Sequence, residues 1–192
     1  MSALILPDSV KQSRLISDDY RKQQEQMHRN SDYGVASQFY APIVAQAMNR
    51  FGVQEVLDYG AGKGRLGQTL MRDRMVKHAF RLQHYDPAVP EWSAEPTPCE
   101  MVACIDVLEH IEPHLIDNVL DDLQRLTLQV GVFSVATTAA VKTLPDGRNA
   151  HLIIEPPSWW LPRIWSRFDL HVFQKTPDGF FVIVTANELE AH

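Results

Sequence analysis

The stretch 56–67, with the sequence VLDYGAGKGRLG, constrains the fold more than any other part of the chain. Residues 53–59 predict a short buried strand, the glycines after them predict a tight turn, and residues 65–75 carry the apolar spacing of a helix. In such a strand–turn–helix unit, backbone N–H groups and the helix N-terminus face a ligand at close range, and glycine leaves room for the ligand's approach. The stretch therefore predicts an α/β fold that binds a nucleotide.

The glycine spacing is compatible with two kinds of nucleotide. Gly62, Gly64 and Gly67 fit the dinucleotide pattern G-x-G-x-x-G. A P-loop is excluded because no Ser or Thr follows Lys63. Asp58, at the end of the predicted strand, separates the alternatives, because a carboxylate there repels a pyrophosphate and attracts a ligand with an ammonium and a sulfonium group.

This stretch resembles motif I of the class I S-adenosylmethionine-dependent methyltransferases. In that family the acidic residue and the glycine loop hold the methionine half of the cofactor. The resemblance implies S-adenosyl-L-methionine as the cofactor. It also implies that these residues bind it: Asp58, Tyr59, Gly60, Ala61, Gly62 and Gly64.

A second acidic residue follows the next predicted strand. Residues 80–85 alternate in polarity and end at Asp86-Pro87, about twenty residues after the glycine turn. An acidic residue at this place accepts hydrogen bonds from the ribose hydroxyls of a nucleotide. We therefore assign Asp86 and Pro87 to the cofactor site, on grounds that fit either kind of nucleotide.

The segment 87–100 departs from the methyltransferase pattern. It contains four prolines and one tryptophan and has no helical period, whereas family members usually place a helix and another strand here. We therefore expect a sheet of six strands rather than seven, shortened between the second strand and the strand that precedes Asp106. Trp92 is placed where a side chain could stack on adenine.

The segment 105–111, with the sequence IDVLEHI, carries the second specific resemblance. It follows a third buried strand over 101–105 and is similar to the post-strand segment of small-molecule O- and C-methyltransferases, including those of quinone biosynthesis. Two motifs in the right order favour a methyltransferase over a dehydrogenase. The resemblance adds Ile105, Asp106 and Val107 to the cofactor-binding residues.

Two histidines are candidate catalytic bases. Methyl transfer from a sulfonium is an in-line displacement, and for an alcohol or phenol acceptor a base of near-neutral pKa helps to remove the proton. His110 follows the end of a strand on the cofactor side, and His151 precedes a tryptophan-rich segment. Either histidine fits this role.

Binding of a divalent metal is an alternative role for the same histidines and the acidic residues near them. Asp106, Glu109, His110 and His151 offer oxygen and nitrogen ligands. Their pattern resembles that of the small-RNA 2′-O-methyltransferases, in which a Glu-x-x-Glu-His run and a distant His hold a metal. Here the first acidic residue is Asp, and the Glu-His pair is also widespread in metal-free relatives. We therefore assign no metal site.

The C-terminal half predicts the rest of the sheet. The expected elements are a helix that opens at Pro113 with Asp122 facing outward, a strand over 130–135, a helix from Ser158 to Phe168 with three tryptophans, and a hairpin of 169–175 with 179–185. The tryptophans fit either an aromatic wall for a planar acceptor or core packing. A final hairpin is typical of the methyltransferase family and not of an ordinary dinucleotide fold. The predicted fold is a Rossmann-like three-layer α/β sandwich, with a mostly parallel sheet and a C-terminal antiparallel hairpin.

We predict two regions, an N-terminal lid or flexible segment over 1–34 and a methyltransferase domain over 35–192. Residues 13–29 are rich in charged and polar residues, so any helix there is expected to be mostly exposed. In the methyltransferase family such elements cover the cofactor and shape the substrate pocket. The candidate lid residues are Tyr20, His28, Tyr33 and Tyr40.

Composition narrows the class of protein and its surroundings. With 192 residues, a net charge of −6 and two cysteines, the chain fits one domain with reduced thiols and no broad basic surface. Charged residues interrupt the N-terminus, and the longest uncharged run is shorter than a membrane span. We expect a cytoplasmic protein without a membrane anchor, and the sequence leaves the oligomeric state open.

The expected function is transfer of a methyl group from S-adenosylmethionine to a small-molecule acceptor, with O-methylation favoured. The first alternative is an RNA or DNA methyltransferase, which would use a local basic patch and, in one version, a metal. The second is a non-catalytic module that binds S-adenosylmethionine, since the shortened segment 87–100 is compatible with lost catalysis.

Overall fold

A computed structural model describes residues 14–187 of the chain, so part of the predicted lid (1–13) and the last five residues lie outside the described residues. The secondary structure elements, in chain order, are α1 Asp18–His28, α2 Ser37–Phe51, β1 Glu55–Tyr59, α3 Arg65–Arg72, β2 Arg81–Tyr85, β3 Cys99–Ile105, α4 Ile116–Leu126, β4 Thr127–Ala136, α5 Pro157–Trp165, β5 Phe168–Lys175 and β6 Gly179–Ala186. Two short 3₁₀ turns, Pro90–Trp92 and Leu108–His110, follow β2 and β3.

The strands form one mixed sheet in the order β2-β1-β3-β4-β6-β5. β1 to β4 pair in parallel, and β6 runs antiparallel to both β4 and β5. The predicted six strands and the C-terminal hairpin are thus confirmed. Between β2 and β3 the chain forms a single 3₁₀ turn, because closely spaced prolines remove the backbone donors that a helix or strand would need.

Successive residues of the central strands point to opposite faces of the sheet, which gives the three layers. Val56 and Met101 pack with α2 and α3 in one core cluster. Leu57 and Val102 pack with α4 and α5 in the other. Burial on both faces is typical of a parallel sheet covered by helices.

Three details of the C-terminal half differ from the sequence prediction. α4 begins at Ile116, three residues after Pro113, and α5 begins with Pro157 at its first position. Asp122 is buried rather than outward. Its carboxylate accepts a hydrogen bond of 3.0 Å from the hydroxyl of Tyr59 in β1. This bond satisfies a polar group on the buried face of α4.

The tryptophans of α5 belong mainly to the core. Trp160 is fully buried, Trp159 packs at the edge of the same cluster, and Trp165 is half exposed. None of the three lines the large cavity described below. Trp159 and Trp160 therefore pack in the core, and none of the three tryptophans forms an acceptor wall in this cavity.

No helix within residues 14–187 combines the length and the apolar character needed to cross a membrane.

Candidate functional site

A cavity of about 550 Å³ opens where the parallel strands end. Its wall includes the residues that follow β1, β2, β3 and β4, together with α1 and the segment after it. In open α/β sheets, ligands bind in this crevice beyond the carboxyl ends of the strands. The volume lies in the range of small-molecule and cofactor sites.

Most of the residues predicted from the sequence line this cavity. They are Tyr59, Gly60, Ala61, Gly62, Asp86, Pro87, Ile105, Asp106, Val107, His110 and His151. Asp58 and Gly64 were predicted with them but are not part of the lining. The fold therefore brings the two sequence motifs and the two histidines to one place.

The glycine turn is held against the end of β2. The backbone N–H groups of Gly60 and Ala61 donate to the carbonyl of Tyr85 at 2.8 and 3.0 Å. Gly60 has a φ of +75°, and a Cβ there would lie 2.4 Å from a methyl carbon of Val107. Glycine is thus needed at this position both for the backbone conformation and for the close approach of the loop after β3.

Asp86 joins the glycine turn to the end of β2. One carboxylate oxygen accepts a bond of 2.9 Å from the N–H of Gly62, and the other accepts one of 2.9 Å from the N–H of Ala88. The Nε2 atom of His28 lies 3.7 Å from the same carboxylate. Asp86 is buried, so its position in the cavity wall is fixed by the backbone on both sides.

Asp58 lies behind the cavity wall and faces His84 of β2. Its carboxylate is buried, and one oxygen has no hydrogen-bond partner within residues 14–187. The Nδ1 atom of His84 lies 3.5 Å from this carboxylate. Burial raises the pKa of Asp58 above its ordinary value. The ring of His84 stacks on Trp92 with the ring centroids 4.5 Å apart, and neither residue lines the cavity.

We expect Asp58→Asn to stabilise the protein at pH 7 by about 1 kcal/mol, since a neutral amide replaces a buried, poorly paired charge. A carboxyl with a raised pKa holds more protons in the folded than in the unfolded state, so its contribution to stability is lost as the pH rises. The stability of Asp58→Asn relative to wild type should therefore increase between pH 4 and pH 7. Urea unfolding at several pH values measures this difference. A variant less stable than wild type at pH 7 would mean that attraction to His84 outweighs the cost of burial.

The N-terminal helix covers the cavity through buried polar contacts. The hydroxyl of Tyr20 donates to the carbonyl of His110 at 2.6 Å, and the side-chain amide of Gln24 donates to Tyr20 at 2.6 Å. The hydroxyl of Tyr33 donates to the Gln24 oxygen at 2.9 Å. The expectation of a mostly exposed helix was wrong on this face, because the polar residues of α1 are hydrogen-bonded to one another and to the site.

Gln24 is a residue of the site that the sequence pattern did not indicate. A glutamine in a charged helix is normally solvent-exposed, and only the tertiary structure places it between two tyrosines. Lys63 also contacts this cover, since its ammonium donates to the carbonyl of Tyr33 at 2.7 Å.

The two histidines and Asp106 converge on one side of the cavity. His110 and His151 lie with their ring centroids 4.8 Å apart. The Nδ1 atom of His110 is 2.8 Å from the carbonyl oxygen of Ala150, and that of His151 is 2.6 Å from the carbonyl oxygen of Thr138. Because a carbonyl only accepts, both rings carry their proton on Nδ1 when neutral, which leaves a lone pair on each Nε2.

His110 is held in its neutral form. Burial lowers its pKa to about 4, because the interior disfavours the imidazolium ion. One ligand atom from each of His110, His151 and Asp106 can be chosen so that all three lie within 4.8 Å of one another. The arrangement can accept a proton or hold a divalent cation.

Glu109 is not a member of this converging group. One of its carboxylate oxygens accepts a bond of 2.6 Å from the N–H of Ala136, and its backbone carbonyl accepts bonds from the N–H groups of Leu152 and Ile153. Burial and the nearby Asp106 raise the pKa of Glu109 well above its ordinary value. Glu109 therefore ties the ends of β3 and β4 to the loop that carries His151.

A scan of the chain against protein-family models gives no match, and a sequence search of curated proteins also gives none. Solved structures do match. The 1,6-didemethyltoxoflavin-N1-methyltransferase of Burkholderia thailandensis, solved with didemethyltoxoflavin and S-adenosylhomocysteine, superposes with a TM-score of 0.60 at 17% identity, covering 88% of each chain.

Two further structures agree. An O-methyltransferase family protein of the same organism superposes with a TM-score of 0.59 at 13% identity, over 86% of this chain and 59% of that one. The magnesium protoporphyrin IX methyltransferase of Synechocystis PCC 6803 was solved with S-adenosylhomocysteine. It superposes with a TM-score of 0.56 at 14% identity, over 88% of this chain and 94% of that one. The chain thus has the class I methyltransferase fold.

Proposed function

We propose that the protein is an S-adenosylmethionine-dependent methyltransferase that acts on a small molecule, with O-methylation as the favoured reaction. The observation that carries the proposal is the cavity where the strands end, walled by the glycine turn, Asp86 and the loop after β3. Two of the structures with the same fold hold S-adenosylhomocysteine, and one of them also holds its acceptor.

The charges around the cavity fit a cationic cofactor. Five carboxylates contribute to the lining, those of Asp32, Asp86, Asp106, Glu112 and Asp178. Among the described residues of the lining, Lys142 is the single lysine or arginine. An acidic cavity attracts the sulfonium and ammonium groups of S-adenosylmethionine and disfavours a dinucleotide with its pyrophosphate.

We assign the cofactor to the two motifs. Asp86 would accept hydrogen bonds from the ribose hydroxyls, and the stretches 59–62 and 105–107 would surround the remainder of the cofactor. We leave Asp58 and Gly64 out of this assignment, since neither lines the cavity. The cofactor supplies an electrophilic methyl group on sulfur when it is bound.

His110 or His151 would act as the base. Each histidine lies in the group that converges with Asp106, and its Nδ1 atom is bonded to a backbone carbonyl, which fixes the orientation of the ring and leaves Nε2 as the free nitrogen. During transfer the Nε2 atom would take the proton of the acceptor hydroxyl, and Asp106 would stabilise the imidazolium that results. Burial lowers the pKa of His110 to about 4 even with Asp106 nearby, which makes His110 a weak base.

The N-terminal region would act as a lid. Residues 14–34 lie over the cavity through α1 and Tyr33, and α2 then begins the layered domain. This supports a division of the chain at about residue 35, with a lid that excludes water from the reaction. A covered cavity of this size favours a small acceptor over a polynucleotide.

Calorimetric titration with S-adenosylmethionine and S-adenosylhomocysteine tests the proposal. We expect one site per chain for both ligands, followed by methyl transfer in a panel of phenols and alcohols. A folded protein that binds neither ligand would contradict the proposal. Binding without transfer in any panel would favour the non-catalytic module instead.

A metal-assisted version of the same reaction is the second candidate. It is favoured by the convergence of Asp106, His110 and His151 within 4.8 Å. Metal-ligating histidines usually donate their second ring N–H to a carbonyl or carboxylate, and both histidines do so here. A cation at this place would lower the pKa of an acceptor hydroxyl bound to it.

If this second candidate holds, Co²⁺ binds the cluster and gives the visible absorption of a nitrogen- and oxygen-ligated ion. His151→Ala should weaken the binding by about 100-fold, because it removes one ligand of three. His114→Ala, on an exposed loop outside the cavity, is the matched control and should leave the affinity unchanged. Equal affinities in wild type and His151→Ala would exclude this site.

A further inference from the structure

Lys142 is a half-buried residue with a buried ammonium nitrogen that the proposed reaction does not use. It lies in the loop between β4 and α5 and lines the cavity. Its ammonium nitrogen is buried and has no hydrogen-bond partner within residues 14–187. None of the ion pairs among these residues includes Lys142.

The ammonium of Lys142 faces an aromatic ring and has no hydrogen-bond partner within residues 14–187. The ammonium lies 5.8 Å from the centre of the Tyr33 ring, a cation–π distance that offsets only a small part of the cost of desolvation. The ammonium of Lys63 donates a hydrogen bond to the backbone carbonyl of Tyr33. Two positively charged side chains therefore lie beside Tyr33. Val141 just before Lys142 is fully exposed, so the chain turns at this point to bring the ammonium inside.

A buried ammonium ion without a partner is costly, and native proteins usually supply an opposite charge. Lys142 supplies a positive charge to a cavity whose other charged lining residues are carboxylates. We infer that Lys142 binds an anionic group of a ligand, a carboxylate or a phosphate, inside this cavity. The inference rests on the proposed function and specifies the chemistry of what the site takes.

Two ligands of a methyltransferase can bring such a group. S-adenosylmethionine carries an α-carboxylate, and an acceptor can carry a carboxylate or a phosphate of its own. Tyr33, on which Lys142 lies, contacts both ends of the site, since its ring packs 5.3 Å from His28 and 5.9 Å from His110. Either source of the anion is therefore within reach, and the experiment must separate them.

The test compares wild type, Lys142→Met and Lys175→Met by calorimetry. Methionine keeps the length of the side chain and removes the charge, and Lys175 is an exposed control on β5, outside the cavity. The ligands are S-adenosylhomocysteine and 5′-methylthioadenosine, which lacks the carboxylate. Protein saturated with S-adenosylhomocysteine is then titrated with inorganic phosphate and with benzoate.

If the cofactor brings the anion, Lys142→Met lowers the affinity for S-adenosylhomocysteine by about 10-fold or more and leaves the affinity for 5′-methylthioadenosine unchanged. If the acceptor brings it, both nucleoside affinities stay the same, and binding of phosphate or benzoate to the saturated protein is lost. Wild-type affinities for all four ligands in Lys142→Met would overturn the inference.

Failure of the proposed function gives a different result. A wild-type protein that binds neither nucleoside contradicts the methyltransferase assignment, and phosphate and benzoate are then titrated into the free protein. Anion binding that depends on Lys142 would still support the inference. Its absence, or binding unaffected by Lys142→Met, would overturn it.

Discussion

Replacing Asp86 with alanine is expected to lower the affinity for S-adenosylmethionine by about 100-fold or more. The buried carboxylate accepts hydrogen bonds from the N–H groups of Gly62 and Ala88, and in the proposed complex it also accepts the ribose hydroxyls. A hydrogen bond to a charged group contributes about 1.5–3 kcal/mol. The variant loses several at once, and calorimetric titration measures the result.

The control for Asp86→Ala must separate loss of the site from loss of the fold. Asp169→Ala, at an exposed position of β5, removes a carboxylate far from the cavity and should bind like wild type. Thermal unfolding by circular dichroism should show that Asp86→Ala is folded at the temperature of the titration. A folded Asp86→Ala with an affinity within twofold of wild type would show that the ribose is bound elsewhere.

Gly179→Ala is expected to destabilise the protein by about 3 kcal/mol. A Cβ at this first residue of β6 would lie 2.0 Å from the carbonyl oxygen of Val135, and a backbone atom cannot move aside as a flexible side chain can. Alanine is otherwise better than glycine within a strand by about 0.5–1 kcal/mol. The clash therefore outweighs this gain and makes the substitution destabilising. Overpacking commonly costs this much free energy of unfolding.

Urea unfolding at constant pH measures the effect of Gly179→Ala. Gln174→Ala, an exposed position on the neighbouring strand β5, is the control and should change the free energy of unfolding by less than about 0.5 kcal/mol. A stability of Gly179→Ala equal to that of wild type would mean that the hairpin can move away from β4 at little cost.

The hairpin shows how a sequence pattern can predict the right element for an incomplete reason. The run Thr176–Gly179 indicates a turn because glycine and proline are frequent in turns. Gly179 has an ordinary negative φ, since it is absent from the residues with positive φ. Glycine is required here because β6 approaches the backbone of β4 too closely for a side chain, and this contact involves residues far apart in the chain.

The elements and their order were predictable because hydrophobic period and glycine turns are local properties. Even the missing strand was predictable, from the prolines after Asp86. The partners of polar side chains were not. Asp58 packs against His84, and Gln24 lies between two tyrosines, because tertiary structure brings together segments whose pairing has no local signature.

The shortened sheet has a consequence for β2, its outermost strand on that side. The N–H of Arg81 donates toward β1, to the carbonyl of Gln54 at 2.7 Å, so the alternation of a strand directs the N–H groups of Leu82 and His84 to the free edge. In heavy water, these two amides should exchange their hydrogens quickly while those of Arg81 and Gln83 exchange slowly. β2 thus has one edge without a partner strand within residues 14–187, although the carboxylate of Asp86, the residue that follows it, is buried.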